Sequence, residues 1–446
     1  MSFSLFNSLT KNIREVQPHS ESLQLFMCGP TVYGSMHVGH AKTYTQLDFL
    51  VKYMNQHFPV HYLMNITDVD DKIIAKASQN GVRFEEVALF YENEFFADMT
   101  WLKNGHPDTV ARASDFIPEI IDQIERLIDK GFAYQLEDGW YFDSLKARSH
   151  HSLASNPVAT VGDDPKKNAS SDFALWKNHK DNEPFWDSSL GKGRPGWHIE
   201  DTAITEKVFG EQYDMHGGAI DLVFPHHEAE IAIMETLSGK TPVAQHWTHT
   251  GLLLVDGAKM SKSQNNFVTV SDLKEKWDAL TLRYMFFSSH YRSSAEVTDT
   301  ALFAAEGARK RVEAFYRNVA PNWHSDPLES LTEKTRKEFY SKLNDDFNTP
   351  EALKVLFSYI KTVYQDSSLE PGKASKLFLE EINTLFSLFD FEEKELSPEL
   401  EQLIEARNVL RKAKRFAESD QVRDQLNDAG IQIEDSTQGT IWYWSK

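Results

Sequence analysis

The chain has 446 residues, 41% of them hydrophobic and 26% charged, enough for about two to four domains at roughly 100–200 residues each. No stretch approaches the roughly 18 consecutive apolar residues of a membrane span, so no membrane partner is expected. The formal net charge of -20, from 47 basic and 67 acidic residues, argues against broad coating of nucleic acid, which depends on neutralising phosphates; local basic clusters remain at ARKR (308–311) and RKAKR (411–415).

The opening MSFSLFNSLTKNIREV reaches Lys11 and Arg14 without an apolar stretch, and no signal peptide is expected. Cys28 is the only cysteine. A lone thiol forms no internal disulfide, which points to a reducing, cytoplasmic setting. LQLFMCGPTVYG reads as a short strand ending in a Gly-Pro turn. HVGHAKTYTQLDFLVKYMNQHF has helical spacing, and VHYLMNITDVDDKIIAKASQNG reads as strand, polar loop and helix. Strand–helix–strand in this order predicts a parallel α/β sheet, with further helices over 85–102 and 112–131. Residues 135–205 are rich in Asp, Lys, Ser, Pro and Trp with weak periodicity and read as an insertion. Residues 206–290 return to strand-like pieces, AIDLVF and GLLLV. From about 297 the pattern is helical; Pro350 suits an early helix position. A helical pair and a strand-like tail, IQIEDSTQGTIWYW, close the chain.

Two short motifs carry chemistry. HVGH, His37 to His40, follows a turn and opens a helix. A helix N-terminus presents backbone N–H groups and partial positive charge to phosphate, and Gly39 lets a nucleotide approach the backbone. On four residues alone, a helix cap with incidental histidines explains the motif as well. KMSKS, Lys259 to Ser263, sits between strand-like segments. Two lysines on such a loop can close on a polyphosphate and neutralise developing charge; alone, a solvated basic turn is the simpler explanation.

Together, HVGH and KMSKS resemble the HIGH and KMSKS signatures of class I aminoacyl-tRNA synthetases. CGPTVYGSMHVGHAKTY, NITDVDDKII, GRPGWHIE, DMHGGAIDLVFPHHEAEIA, DGAKMSKS, DDFNTPEA and the closing RKAKRFAESDQVRDQLNDAGIQIEDSTQGT narrow this to the cysteinyl-tRNA synthetase family, across essentially the whole chain. The resemblance implies an α/β fold: a doubly wound parallel-sheet (Rossmann-like) catalytic domain, an inserted connective region and a C-terminal all-α anticodon-binding region. The segments expected are 1–134 and 206–300 for the two catalytic halves, 135–205 for the insertion, 301–395 for a helical bundle and 396–446 for RNA binding.

In that family a zinc ion sits at the amino-acid pocket, and its ligand positions match Cys28, Asp201, His226 and Glu230. His226 and Glu230, four apart, share a face if helical; His227 and Glu228 are expected to point elsewhere, either behind the ligands or at the surface. Asp201 stands where most members carry a second cysteine. The formal charge is kept, but one fewer sulfur lowers the preference for zinc over harder metals. If Asp201 does not ligate, it is a helix cap and zinc is weak or lost. A soft metal rewards the substrate thiol over serine's hydroxyl, where apolar pockets discriminate only modestly.

The resemblance also implies roles for Gly217, Gly218 and Asp221 at adenosine, alternatively a plain tight turn before a strand. Thr31, Trp197 and His198 are expected in the substrate pocket. Thr67 and Asp68 belong to a structural loop, with Asp70 and Asp71 at a helix N-cap rather than on magnesium. The implied activity is cysteine–tRNA ligation. ATP, accompanied by Mg2+, and L-cysteine give cysteinyl-adenylate, and tRNA(Cys) accepts the aminoacyl group, with His37, His40, Lys259 and Lys262 acting on the phosphates. Two rivals remain: a cysteine ligase acting on an amino-sugar, as in mycothiol synthesis, and a catalytically inactive tRNA-binding paralogue.

Overall fold

The computed structural model describes residues 3–147, 153–154, 166–255, 257–259, 267–319, 328–366, 369, 371–392, 396–436 and 439–444. Two compact units form: Met1–Ala279 with Ser289–Val297 and Asn344–Phe347, and Leu280–Ser288 with Thr298–Leu343 and Asn348–Lys446.

The first unit is built on five parallel strands in the spatial order Ala244–Thr250, Tyr213–Ala219, Leu23–Met27, Val60–Ile66, Thr109–Arg112. Leu23, Leu25, Phe26, Met27, Leu63, Met64 and Ile66 are buried. Such near-continuous apolar runs mark strands covered on both faces. Chain order reverses between Leu23–Met27 and Tyr213–Ala219, and ligands of open α/β sheets bind at the carboxyl ends of strands at such a point. The helix Val38–Met54 returns from the first strand and is buried along most of its length, Lys42 included.

The insertion holds more order than its sequence displays. Ala133–Leu136, Gly139–Phe142, Phe173–Asn178 and Gly193–Pro195 form an antiparallel sheet. Phe142 and Trp176 pack in its core with Ile120, Ile124 and Leu127 of the helix Ile117–Asp129. Arg194, 3% exposed at its side chain, pairs with Glu183 at 3.0 Å and with Asp71 of the helix Asp71–Asn80. AIDLVF is not a strand: the strand ends at Ala219, and a 3-10 turn, Ile220–Leu222, then a π-turn, Val223–His227, follow.

The second unit is helical. Asp299–Arg317, Thr349–Gln365 and Lys373–Phe386 bury Phe315, Leu356, Phe378 and Phe386. Asn348 caps Thr349–Gln365, its Oδ1 accepting from Glu351 N, with Pro350 in the first turn; such a cap is worth about 1 kcal/mol. The tail comprises Pro398–Lys412, Phe416–Asp428 and an antiparallel hairpin, Ile431–Ser436 with Gly439–Trp444. Arg407 is buried and donates to both carboxylate oxygens of Asp435, which also receives Arg411 at 3.0 Å. The Arg411–Arg415 cluster is therefore partly neutralised within the fold.

Candidate functional site

Five elements meet at the reversal point. Cys28 follows directly on the strand Leu23–Met27. Asp201 lies in the first turns of the helix Trp197–Phe209. His226 and His227 end the π-turn, and Glu230 opens the helix Glu228–Ser238. His216 lies within the strand Tyr213–Ala219. All six side chains are buried.

Their ligand atoms form two overlapping sets, Cys28–Asp201–His226–Glu230 and Cys28–His216–His227–Glu230, each within 4.8 Å. In the first, Nε2 of His226 stands 2.9 Å from Oδ2 of Asp201 and 3.1 Å from Oε1 of Glu230, and Cys28 Sγ is 3.6 Å from Asp201 Oδ2. In the second, Cys28 Sγ is 3.1 Å from His227 Nε2 and 3.4 Å from His216 Nε2. Surrounding groups fix these side chains. Asn65 Nδ2 donates to Asp201 Oδ1 at 2.6 Å, Tyr213 OH is 2.7 Å from His216 Nδ1, and His249 Nε2 is 2.8 Å from His227 Nδ1. Outer partners of this kind orient metal ligands.

Burial, then the carboxylates of Glu230 and Asp201, push the Cys28 thiol well up. Burial, then Asp201, raises Glu230. Burial, then neighbouring imidazoles, holds His216 and His227 well down. The Cys28 thiol and the Glu230 carboxyl thus stand with Asp201 at one buried point, an arrangement that a shared cation would stabilise. Oε1 of Glu230 is buried and accepts no hydrogen bond among the described residues. Sulfur, nitrogen and oxygen donors converging with such an oxygen fit a tetrahedral divalent metal.

Glu228 points away from the cluster as expected, but His227 does not. His227 faces Cys28, and fully buried Glu228 accepts from the backbone N–H of Leu153 and Ala154 at 2.5 and 2.6 Å. The π-turn explains this, because helical four-residue spacing does not describe 223–227. His198 also joins the cluster, Nδ1 to Nδ1 at 2.8 Å from His226, while the Trp197 ring stacks on His226 at 4.2 Å.

A cleft opens beside the cluster. Cys28, Thr31, Gly39, His40, Trp197 and Asp221 are among its lining. His37 caps the helix Val38–Met54, its Nδ1 accepting from His40 N at 3.2 Å, and the two imidazoles stack at 3.7 Å. Burial pushes His40 down to about 4, so it is neutral at pH 7. Gly217 and Gly218 lie in a strand rather than in a turn before one; a Cβ on Gly218 would stand 3.0 Å from His227 Cε1. Asp70 caps the helix Asp71–Asn80, accepting from Lys72 N; Asp68 accepts from Ser114, and Thr67 donates to Glu200. Lys259 ends the strand Ala258–Lys259; residues 260–266, Lys262 among them, lie outside the described residues.

The chain matches the family model for the tRNA synthetases class I (C) catalytic domain over residues 14–307, the DALR domain over 338–390 and the cysteinyl-tRNA ligase anticodon binding domain over 393–444. It is 38% identical to a cysteine–tRNA ligase of Thermococcus onnurineus, covering 99% of each chain, and 37% identical to one of Methanococcus maripaludis, covering 98% of each. A methionyl-tRNA synthetase of Mycobacterium tuberculosis solved with methionyl-adenylate shares the fold, with a TM-score of 0.60 at 15% identity over 82% of this chain and 89% of that one. No described helix is long and apolar enough to cross a membrane. The anticodon-binding match speaks against an amino-sugar ligase, and the chain belongs to the cysteinyl-tRNA synthetases, the class I ATP-dependent ligases that join cysteine to tRNA(Cys).

Proposed function

We propose that Cys28, Asp201, His226 and Glu230 hold one zinc ion that selects the substrate by its thiol. When bound, the ion supplies a soft acceptor for sulfur that serine's hydroxyl cannot match. Thr31, Trp197 and His198 wall the amino-acid pocket. ATP, with Mg2+, lies across the cleft, its phosphates at the N-terminus of Val38–Met54 with Gly39 beneath them. His37 and His40 position the phosphates; Gly217, Gly218 and Asp221 serve the adenosine.

The cysteine carboxylate attacks the α-phosphorus, a phosphorus–oxygen bond forms, and pyrophosphate leaves. Lys259 and Lys262 neutralise charge on the departing phosphates. A terminal ribose hydroxyl of the tRNA then attacks the adenylate carbonyl and AMP leaves. No side-chain nucleophile is needed; the protein contributes position and charge. The tail beyond residue 396 holds the tRNA, through bases and shape. A cytoplasmic setting belongs to the same reading.

The observation that supports this best is the convergence of four buried donors at the end of the first strand, bordering the cleft. The test is ATP–pyrophosphate exchange with cysteine, serine and alanine in parallel, with metal analysis of the same preparation. Exchange strongly favouring cysteine and near one zinc per chain are expected. Equal exchange with serine, or no bound metal, overturns thiol selection.

A further inference from the structure

Lys42 lies in the helix Val38–Met54, a turn beyond the His37 cap, and is 0% exposed. Lysine is almost never fully buried unless its ammonium is matched. Here it is matched by three oxygens. Nζ donates to Gln46 Oε1 at 3.0 Å, to the Gly251 carbonyl at 2.9 Å and to the Tyr291 carbonyl at 3.3 Å. None of the three can donate in return, so full satisfaction requires all three protons of the charged form. Burial opposes that form, drawing Lys42 down to about 7.

Gly251 is the turn at which the last strand of the central sheet, Ala244–Thr250, gives way to Leu253–Val255. Its own N–H donates to the same Tyr291 carbonyl at 2.8 Å. A Cβ there would stand 2.4 Å from the backbone carbon of Ser293, so no larger residue fits the turn. Gly251, Leu252 and Leu253 line the cleft together with His40 and Thr43. Thr43, next to Lys42, is 2.8 Å from Thr250, Oγ1 to Oγ1. Leu253–Val255 in turn pairs with Ala258–Lys259 at the head of the KMSKS segment.

We propose that Lys42 is a positioning residue for the nucleotide: by holding the Gly251 and Tyr291 carbonyls it sets the distance between the HVGH helix and the strand that leads into KMSKS. It touches neither substrate nor reacting atoms. This rests on the assignment of the cleft to ATP. A group that merely filled the core would leave Michaelis constants alone when replaced. A group that sets the width of the nucleotide cleft changes one of them selectively, because the side chains of the metal cluster come from other elements and, among the described residues, this helix meets them only through Tyr44 OH on the Cys28 carbonyl, 3.2 Å.

The test is steady-state ATP–pyrophosphate exchange by the full chain, wild type against Lys42→Met and Lys42→Gln, with thermal midpoints recorded. For Lys42→Met the expected result is an ATP KM raised about tenfold or more, with the cysteine KM within about threefold. Lys42→Gln, which keeps an amide donor, is expected to fall between. An unchanged ATP KM beside a lowered midpoint overturns the proposal and leaves Lys42 a core anchor. If Lys42→Met does not fold, the ATP KM of Lys42→Gln decides by the same criterion. Absence of cysteine-dependent exchange in the wild type would instead remove the assignment of the cleft itself.

Discussion

Nε2 of His226 and Oδ2 of Asp201 stand 2.9 Å apart, both side chains buried, with Asn65 donating to the other Asp201 oxygen. That arrangement leaves Asp201 little freedom except toward the cluster. Asp201→Ala is expected to lower zinc per chain sharply, measured by elemental analysis after dialysis. Asp201→Cys, which adds a second sulfur, is expected to hold zinc more firmly against a chelator than the wild type. Unchanged metal in Asp201→Ala would mean that Asp201 is not a ligand.

Lys262→Ala is expected to lower cysteine-dependent ATP–pyrophosphate exchange by about 100-fold or more, the scale of losing one charge-stabilising donor. The circular dichroism spectrum should be unchanged. Exchange equal to wild type would refute the role given to Lys262.

Removing residues after 396 is expected to spare adenylate formation and weaken charging of tRNA, compared by exchange and aminoacylation assays on one preparation. Arg407, Arg411 and Asp435 form their ion pairs within the removed segment. Equal charging would withdraw the tail from tRNA binding.

Acid stability offers a test away from the cleft. Burial works to raise the Asp71 carboxyl, but Lys177 and Arg194 outweigh it and hold the group down to about 2. A depressed carboxyl contributes stability above its unfolded value near 4, and loses that contribution as pH falls through 2. Wild type and Asp71→Asn should therefore differ in thermal midpoint at pH 6 and converge as the pH approaches 2. A constant difference would show that the ion pairs contribute nothing. The effect is expected to be small, since the Asp71 side chain is 59% exposed and solvent screens such pairs.

The central sheet was legible because its strands are runs such as LQLFM and VHYLMNI, apolar enough to be covered on both faces. The insertion sheet was not: its strands are only three to six residues long, too short to impose a period, and Trp176 and Phe142 find their partners across the sheet. Nothing in the sequence marks His216 as a member of the cluster. Its burial follows from a strand flanked on both sides, a property of pairing partners far away in sequence. Helical arithmetic turns His227 away from the ligands, and the π-turn Val223–His227 does not obey it. Where a site is enclosed from every side, neighbours in sequence face it together.

The His37 cap has a chemical consequence for whatever meets the ring. Because Nδ1 accepts from His40 N, the proton of the neutral imidazole resides on Nε2, fixing one tautomer without help from pH. The opposite edge of the ring then carries the N–H, which matches an oxygen acceptor and not an amine or another N–H. The same bond that starts the helix thereby gives the ring a polarity.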